Sequence, residues 1–130
     1  LEYLNELSLE PAADVQFVGY SKNIYHYLFS ASLSVLPSRE EASGRAILEA
    51  MSFGLPCICT RAGGNEELIT NWFDGIYINQ NHIELAHAIE LIFNSPKLAS
   101  EISYNARCKI ESTFNLNSYS RNFINAIKYV

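Results

Sequence analysis

Two glutamates at a fixed spacing are the residues of this chain best suited to chemistry. Glu41 and Glu49 are separated by seven residues in a sequence of 130. Glu41 follows a short apolar run, and Gly44 opens a helix-like segment after it, which is how an α/β protein builds a ligand site. Two helical positions eight residues apart point in directions that differ by roughly 80° around the helix axis, so both acids could face the same edge of the sheet. Carboxylates accept hydrogen bonds from vicinal hydroxyls, and the spacing therefore suggests a site for a diol.

Each acid also has a simpler explanation. Glu41 precedes a predicted helix N-terminus, where the helix dipole stabilises a solvated acid, and the residues alone leave these two explanations in balance. Glu49 falls within the apolar run AILEAM, where a buried carboxylate would need a partner. Helical periodicity by itself favours a solvent-exposed acid at this position.

Glycines and one basic residue near the two acids suggest phosphate binding. Gly44 lets backbone approach a ligand, and the helix it opens offers free N–H groups to a phosphate. Arg45 either adds positive charge there or is a solvated first-turn residue. Gly63 and Gly64 either form a tight turn or bring backbone N–H groups to a substrate. Taken alone, Arg45 fits a solvated first-turn residue better, whereas the residues leave both explanations of Gly63 and Gly64 open.

Composition argues against several other functions. The net charge is −5 and the nine Lys and Arg residues are scattered, which disfavours a nucleic-acid surface. No apolar run is long enough to cross a bilayer, and the acidic first residues are unlike a signal peptide. Cys57, Cys59 and Cys108 lack zinc-ligand spacing and are predicted to be reduced thiols of a cytosolic protein. Cys57 and Cys59 should share one face of a strand.

Strands alternating with helices predict an α/β fold with a parallel sheet. Right-handed crossovers then gather the loops after the strands at one sheet edge, here the loops at 19–21, 38–43 and 61–65. Ser21, Ser43, Asn65 and Ser95 are the expected helix N-caps, and Gly54 is expected just past a helix end. The strands are predicted at 15–18, 31–36, 57–60 and 76–78, and the helices at 1–9, 23–30, 44–53, 65–70, 82–93, 96–114 and 117–130.

The ordered motifs resemble one known family. E-A-S-G-R-A-I-L-E-A-M, followed by G-L-P-C-I-C-T-R-A-G-G-N-E-E-L-I, resembles the signature of the retaining glycosyltransferases of family 4, which have the GT-B fold. That signature is E-x7-E with A-M, then G-x-P before an apolar strand, then G-G-x-x-E. The earlier V-x-F-x-G at 15–19 fits as well, and the resemblance covers nearly the whole chain.

The resemblance implies a fold class and an activity. The chain would be a single Rossmann-like domain over 1–130, a parallel sheet flanked by helices, truncated at its N-terminus within the C-terminal domain of a GT-B enzyme. It would hold a nucleotide sugar, usually a UDP-sugar, whose sugar passes to an acceptor with retention of configuration. Without the rest of the enzyme we expect no transferase activity, and either an open sheet edge or direct pairing of the strands at 15–18 and 33–36.

Roles for individual residues follow from the motif positions. Glu41, the catalytic assignment, would contact the donor sugar hydroxyls without acting as a nucleophile, and Glu49 would bind the ribose hydroxyls. Ala42, Ser43 and Arg45 depart from the residues common in the family, which leaves the donor open. The remaining donor-binding positions are Ser43, Gly44 and Arg45 for the diphosphate or sugar, Gly19 and Tyr20 near the base, and Gly63 and Gly64 along the site.

The resemblance also implies partners and a location. An acceptor glycan or glycolipid would be held by the missing N-terminal domain, in the assembly of a surface polysaccharide or glycolipid. No metal or cofactor is expected, because a helix N-terminus and basic residues serve the phosphates. The enzyme would be cytoplasmic, with peripheral attachment at the inner face of the membrane as an option. A nucleotide-sugar epimerase and a non-catalytic GT-B-like binding domain are the alternatives.

Overall fold

The computed structural model describes residues 15–115, so the helices predicted at 1–9 and 117–130 lie outside the described residues. Three strands alternate with five helices along this part of the chain. In chain order they are α1 (Ile24–Ser30), β1 (Ser34–Leu36), α2 (Arg45–Ser52), β2 (Cys57–Thr60), α3 (Asn65–Leu68), β3 (Ile76–Ile78), α4 (His82–Asn94) and α5 (Pro96–Thr113).

The three strands form one parallel sheet in the order β1-β2-β3. Val35 lies opposite Ile58 and Ile58 lies opposite Ile76, so the strands end close together at one edge. Because the strands run in the same direction, each connection must cross over through a helix. The predicted α/β class and its parallel sheet are confirmed.

The strand predicted at 15–18 is not formed. Val15 and Phe17 are exposed, and residues 15–18 have no strand pairing. An extended segment becomes a strand only when a neighbour takes up its N–H and C=O groups. Among residues 15–115, β1 pairs with β2 alone, so its other side is an open edge. Of the two outcomes expected for the sheet, the open edge is therefore observed and direct pairing is not.

Side chains of β2 alternate between two apolar layers. Cys57 and Cys59 pack with α2 and α5 on one face, against residues such as Met51 and Ala106. Ile58 faces the opposite cluster with β3 and α4. The shared face predicted for the two cysteines is confirmed. Burial raises the pKa of both thiols to about 12, so they are core side chains without thiolate character.

Helix ends confirm some predicted caps and correct others. Gly54, at φ +70°, follows α2, and the N–H groups of Gly54 and Leu55 donate to Met51 and Ala50, as in a Schellman motif. Asn81 caps α4 by accepting from the Ile83 N–H at 2.9 Å.

Of the predicted serine and asparagine caps, Ser21 and Asn65 are wrong and Ser95 is at the predicted position. Ser21 accepts a hydrogen bond from the Asn23 N–H, and Asn23, not Ser21, is the N-cap of α1. Asn65 is the first residue inside α3, because its side chain is taken up by the core. Ser95 does stand at the N-cap of α5, although its hydroxyl makes no capping bond there.

A buried ion pair joins α5 to the turn before β3. The Asp74 carboxylate, 2% exposed, lies 2.8 Å from the Lys109 Nζ and accepts the Thr70 N–H at 2.6 Å. Removing one partner of such a pair leaves a desolvated charge without compensation.

Replacing Lys109 with methionine should therefore destabilise the chain by about 3 kcal/mol, because the Asp74 carboxylate stays buried without its cation. Urea unfolding followed by circular dichroism measures this. Lys97→Met is the control, since the Lys97–Glu101 pair is exposed and should contribute less than about 1 kcal/mol. Adding Asp74→Asn to Lys109→Met should recover part of the loss. Equal effects of the two lysine substitutions would contradict this account.

Candidate functional site

The candidate site lies where the loops after β1 and β2 meet at the carboxyl edge of the sheet. The first loop carries Glu41 and leads into α2, and the second carries Gly63 and Gly64 and leads into α3. Both loops thus join a strand end to a helix N-terminus, the position at which α/β sheets bind ligands.

The Glu41 side chain accepts hydrogen bonds from the backbone just before helix α2. One carboxylate oxygen accepts the N–H of Gly44 at 3.1 Å and the N–H of Ser43 at 3.3 Å, and the other lies 3.4 Å from the Ser38 hydroxyl. These hydrogen bonds, that from Gly44 first, hold the pKa of the Glu41 carboxyl below its usual value. The prediction of Ser43 as N-cap is wrong: Gly44 holds that position, and the Glu41 carboxylate accepts the N–H group of Gly44.

Gly44 is required by both backbone conformation and space. Its φ is +55°, in the left-handed region that strains other residues. A Cβ there would lie 2.5 Å from the Leu68 Cδ1 and 2.7 Å from the Asn65 Oδ1. The start of α2 therefore packs directly on α3, and a side chain at this position would separate the two helices.

Gly63 and Gly64 bring the second loop against the backbone of the first. A Cβ on Gly63 would lie 2.3 Å from the Glu41 carbonyl oxygen, and one on Gly64 would lie 2.6 Å from that of Ala42. The Gly64 N–H donates to the Glu41 carbonyl at 2.8 Å. The glycine pair thus fixes the backbone of the loop that carries Glu41, whatever else it contacts.

A buried polar network below the two loops was missed by sequence reasoning. Thr60, at the end of β2, donates its hydroxyl to the Ser38 carbonyl, and the Asn65 Nδ2 donates to the Thr60 carbonyl at 3.1 Å. The Tyr77 hydroxyl donates to the carbonyls of Asn65 and Ile69. Each bond reaches backbone on another element, so the network ties the three strand ends together. A threonine, an asparagine and a tyrosine near strand ends were the only sequence signal.

The two glutamates line different cavities. Glu41 belongs to a cavity of about 450 Å³ that also includes Arg39, Ala42 and Gly63. Glu49 belongs to one of about 310 Å³ formed between α2 and α5. The helix N-terminus at Gly44 lies between these two residues in sequence.

Glu49 is a half-exposed helix acid paired with Arg45. The Arg45 Nε lies 3.5 Å from the Glu49 carboxylate one turn along α2, and the Arg45 side chain is 86% exposed. The exposed position favoured by periodicity is therefore observed. Both side chains remain accessible to a ligand, because an exposed pair of this kind is weak.

The remaining predicted residues lie apart from these cavities. Gly19 has φ +68° and Tyr20 is 92% exposed, and neither lines the cavities of Glu41 and Glu49. Their assignment to a base remains a prediction.

A third cavity at the same edge was not expected from the sequence. It measures about 400 Å³ and is lined by the loops after β1 and β3 and by the end of β2, including Arg39, Thr60 and the segment Asn79, Gln80, Asn81 and His82. Arg39 lines this cavity and the Glu41 cavity. The segment after β3 was assigned only a helix start, because its polar residues show no motif.

Residues 15–115 contain no group of three or more His, Cys, Asp or Glu side chains placed to hold a metal ion. Among the helices of this range, none is long and apolar enough to cross a membrane.

The fold defines an α/β protein of the GT-B glycosyltransferase type. The family model "Glycosyl transferases group 1" matches residues 2–109, and the chain belongs to this family. The chain is 34% identical over 121 residues to the UDP-Gal:alpha-D-GlcNAc-diphosphoundecaprenol alpha-1,3-galactosyltransferase of Escherichia coli, covering 88% of this chain and 31% of that protein. It thus spans about a third of the length of this curated relative.

Solved structures give the same fold. A glycosyltransferase from Rickettsia africae superposes with a TM-score of 0.85 and 28% identity, over 98% of this chain and 34% of that one. Anabaena HepE in complex with UDP superposes with a TM-score of 0.87 at 24% identity, over 99% of this chain and 35% of that one.

Glu41→Gln should weaken folding at pH 7 and have little effect in acid. A lowered folded-state pKa means that the carboxylate stabilises the chain fully above its ordinary value of 4.5, and that this contribution is lost as pH falls through the folded value. Urea midpoints of wild type and variant should differ at pH 7 and converge as the pH falls below the folded-state pKa of Glu41. Glu40→Gln is the control, because among the described residues the Glu40 side chain accepts no backbone N–H group. A difference between wild type and Glu41→Gln that does not change with pH would contradict the role of the carboxylate.

Gly64→Ala should displace the Glu41 loop. Gly64 has φ −58°, so alanine brings no backbone strain there, and the whole effect comes from the 2.6 Å approach to the Ala42 carbonyl. We expect a loss of about 1–3 kcal/mol in the free energy of unfolding and altered amide chemical shifts at Ser43 and Gly44. Gly19→Ala is the control for the shifts: its φ of +68° gives alanine backbone strain, but no atom lies near the new Cβ, so the amides of Ser43 and Gly44 should not move. Unchanged shifts at the two amides would show that the loops are not coupled.

Proposed function

We propose that this chain binds the donor in a retaining glycosyltransferase, which moves a sugar from a nucleotide sugar, a UDP-sugar, to an acceptor. The observation that carries the proposal is the Glu41 carboxylate at the N-terminus of α2, on a cavity of about 450 Å³ at the carboxyl edge of the sheet. Hydrogen-bond acceptors for sugar hydroxyls and backbone donors for phosphate meet there.

The diphosphate takes the place that Glu41 holds in the ligand-free chain. The N–H groups of Ser43 and Gly44 donate to the Glu41 carboxylate, and these are the groups that a phosphate at a helix N-terminus would use. Two anions do not share them, so donor binding frees the carboxylate. Glu41 then accepts hydrogen bonds from the sugar hydroxyls.

The ribose hydroxyls bind to Glu49 in the same exchange. The weak Arg45–Glu49 pair opens, Arg45 turns to the diphosphate and Glu49 accepts from the diol. Gly19 and Tyr20 lie near the base, and Gly63 and Gly64 line the sugar. The helix N-terminus and basic residues neutralise the phosphates in place of a metal.

The acceptor is a glycan or glycolipid, held by the part of the enzyme beyond this chain. The relative from Escherichia coli is named for transfer of galactose to a GlcNAc-diphosphoundecaprenol, and HepE for a complex with UDP, and both names support this choice of donor and acceptor class. We place the enzyme in the cytoplasm, at the inner face of the membrane, in the assembly of a surface polysaccharide or glycolipid.

Calorimetric titration of the 130-residue chain with UDP, and with UDP-glucose and UDP-galactose, tests the proposal. UDP should bind, and Glu49→Gln should lower its affinity about tenfold, because a charge-assisted hydrogen bond contributes about 1.5–3 kcal/mol. Glu90→Gln, an exposed acid on α4, is the control. Absence of UDP binding, or an unchanged affinity in Glu49→Gln, would contradict the donor assignment. The chain alone should give no turnover.

A further inference from the structure

The third cavity lies beside the Glu41 cavity and shares Arg39 with it. Its lining comes from the ends of all three strands, with Pro37 and Arg39 after β1, Thr60 in β2 and the segment after β3. A group bound there would be next to whatever occupies the Glu41 cavity. No role was assigned to this place by the motif.

Hydrogen bonds to backbone hold the walls of this cavity in place. The Gln80 Nε2 donates to the Arg39 carbonyl at 3.0 Å, joining the loops after β3 and β1 across 41 residues of sequence. Thr60 is 2% exposed and its hydroxyl donates to the Ser38 carbonyl. A cavity fixed in this way binds a ligand without the cost of ordering its loops.

The polar groups left over match a ligand that has both hydroxyls and an anion. The side-chain NH₂ groups of Asn79 and Gln80 already donate hydrogen bonds, and the side-chain oxygen of Asn81 already accepts one. The side-chain oxygens of Asn79 and Gln80 and the NH₂ group of Asn81 are therefore left for a ligand. The cation here is Arg39, and among the described residues no carboxylate pairs with it. Donors from Arg39, Asn81 and His82 suit a phosphate, and the oxygens of Asn79 and Gln80 accept from hydroxyls.

The apolar part of the lining suits a sugar ring. Pro37, Ile78 and Leu85 are the apolar residues of its lining. An apolar surface with a few placed polar groups is the usual composition of a small-molecule site. Free phosphate would leave that surface in contact with water.

We propose that this cavity is a second ligand subsite, which takes a glycosyl phosphate of the acceptor next to the donor sugar. The inference rests on the proposed function, because it reads the Glu41 cavity as the donor site. Arg39 lies between the two groups and binds the acceptor phosphate. The chain therefore contributes to acceptor selection as well as to donor binding.

Nuclear magnetic resonance of the ¹⁵N-labelled 130-residue chain, saturated with UDP, tests the subsite with α-D-glucose 1-phosphate as the probe. The side-chain and backbone amides of Asn79, Gln80 and Asn81 should shift and saturate. His82→Ala should lower the affinity for the probe at least fivefold, while the affinity for UDP stays within twofold. His87→Ala, on the same helix, should change neither of the two affinities. Inorganic phosphate and glucose, titrated separately, should each bind at least tenfold more weakly than the probe.

Further outcomes separate this inference from the proposed function. Shifts that persist in Glu41→Gln support a subsite distinct from the donor cavity, and their loss in that variant overturns it. The inference also fails if the three amides stay unmoved or if inorganic phosphate binds as tightly as the probe. UDP binding without shifts at these amides overturns the subsite alone, whereas absence of UDP binding overturns the donor assignment.

Discussion

Backbone packs on backbone where the loop after β2 meets the loop after β1, and the site depends on that contact. The Gly64 N–H donates to the Glu41 carbonyl, and a side chain on either Gly63 or Gly64 would enter the space of the first loop. Glycine has no Cβ, so no side-chain atom at these positions keeps the two loops apart. The contact places Glu41 where its carboxylate can reach the N–H groups at the start of α2.

The Glu41 carboxylate accepts the hydrogen bonds that a ligand at this site would otherwise receive from the backbone. Two N–H groups at a helix N-terminus would otherwise need water or an anion. Glu41 supplies that anion from within the chain, and these hydrogen bonds lower the pKa of its carboxyl. Any phosphate that binds here must replace hydrogen bonds that already exist, so its net gain is smaller than the contacts alone suggest. Specificity then depends on what the released carboxylate can accept.

The sequence predicted elements whose signals are local. Strand β2 matches its prediction residue for residue, and Gly54 ends α2 as expected, because an apolar run and a glycine act through their own neighbours. The strand at 15–18 failed because pairing is not local. The Ser43 cap failed because Gly44, in the left-handed conformation, takes the N-cap position of α2. The cavity at Arg39 arises from the ends of three strands and the loops after β1 and β3, which are far apart in sequence, and no pattern within one loop encodes it.

The spacing of the two glutamates has a different meaning in the structure. Helical spacing would place the two acids on one side of a helix only if both belonged to it. Glu41 lies before α2, and only Glu49 lies on it. They therefore line separate cavities, with the helix N-terminus at Gly44 between them in sequence. One ligand can use both acids only if it passes that N-terminus, with hydroxyls at each end and an anion in the middle. A nucleotide sugar has this order of groups, sugar, diphosphate and ribose, which a single sugar or a single phosphate lacks.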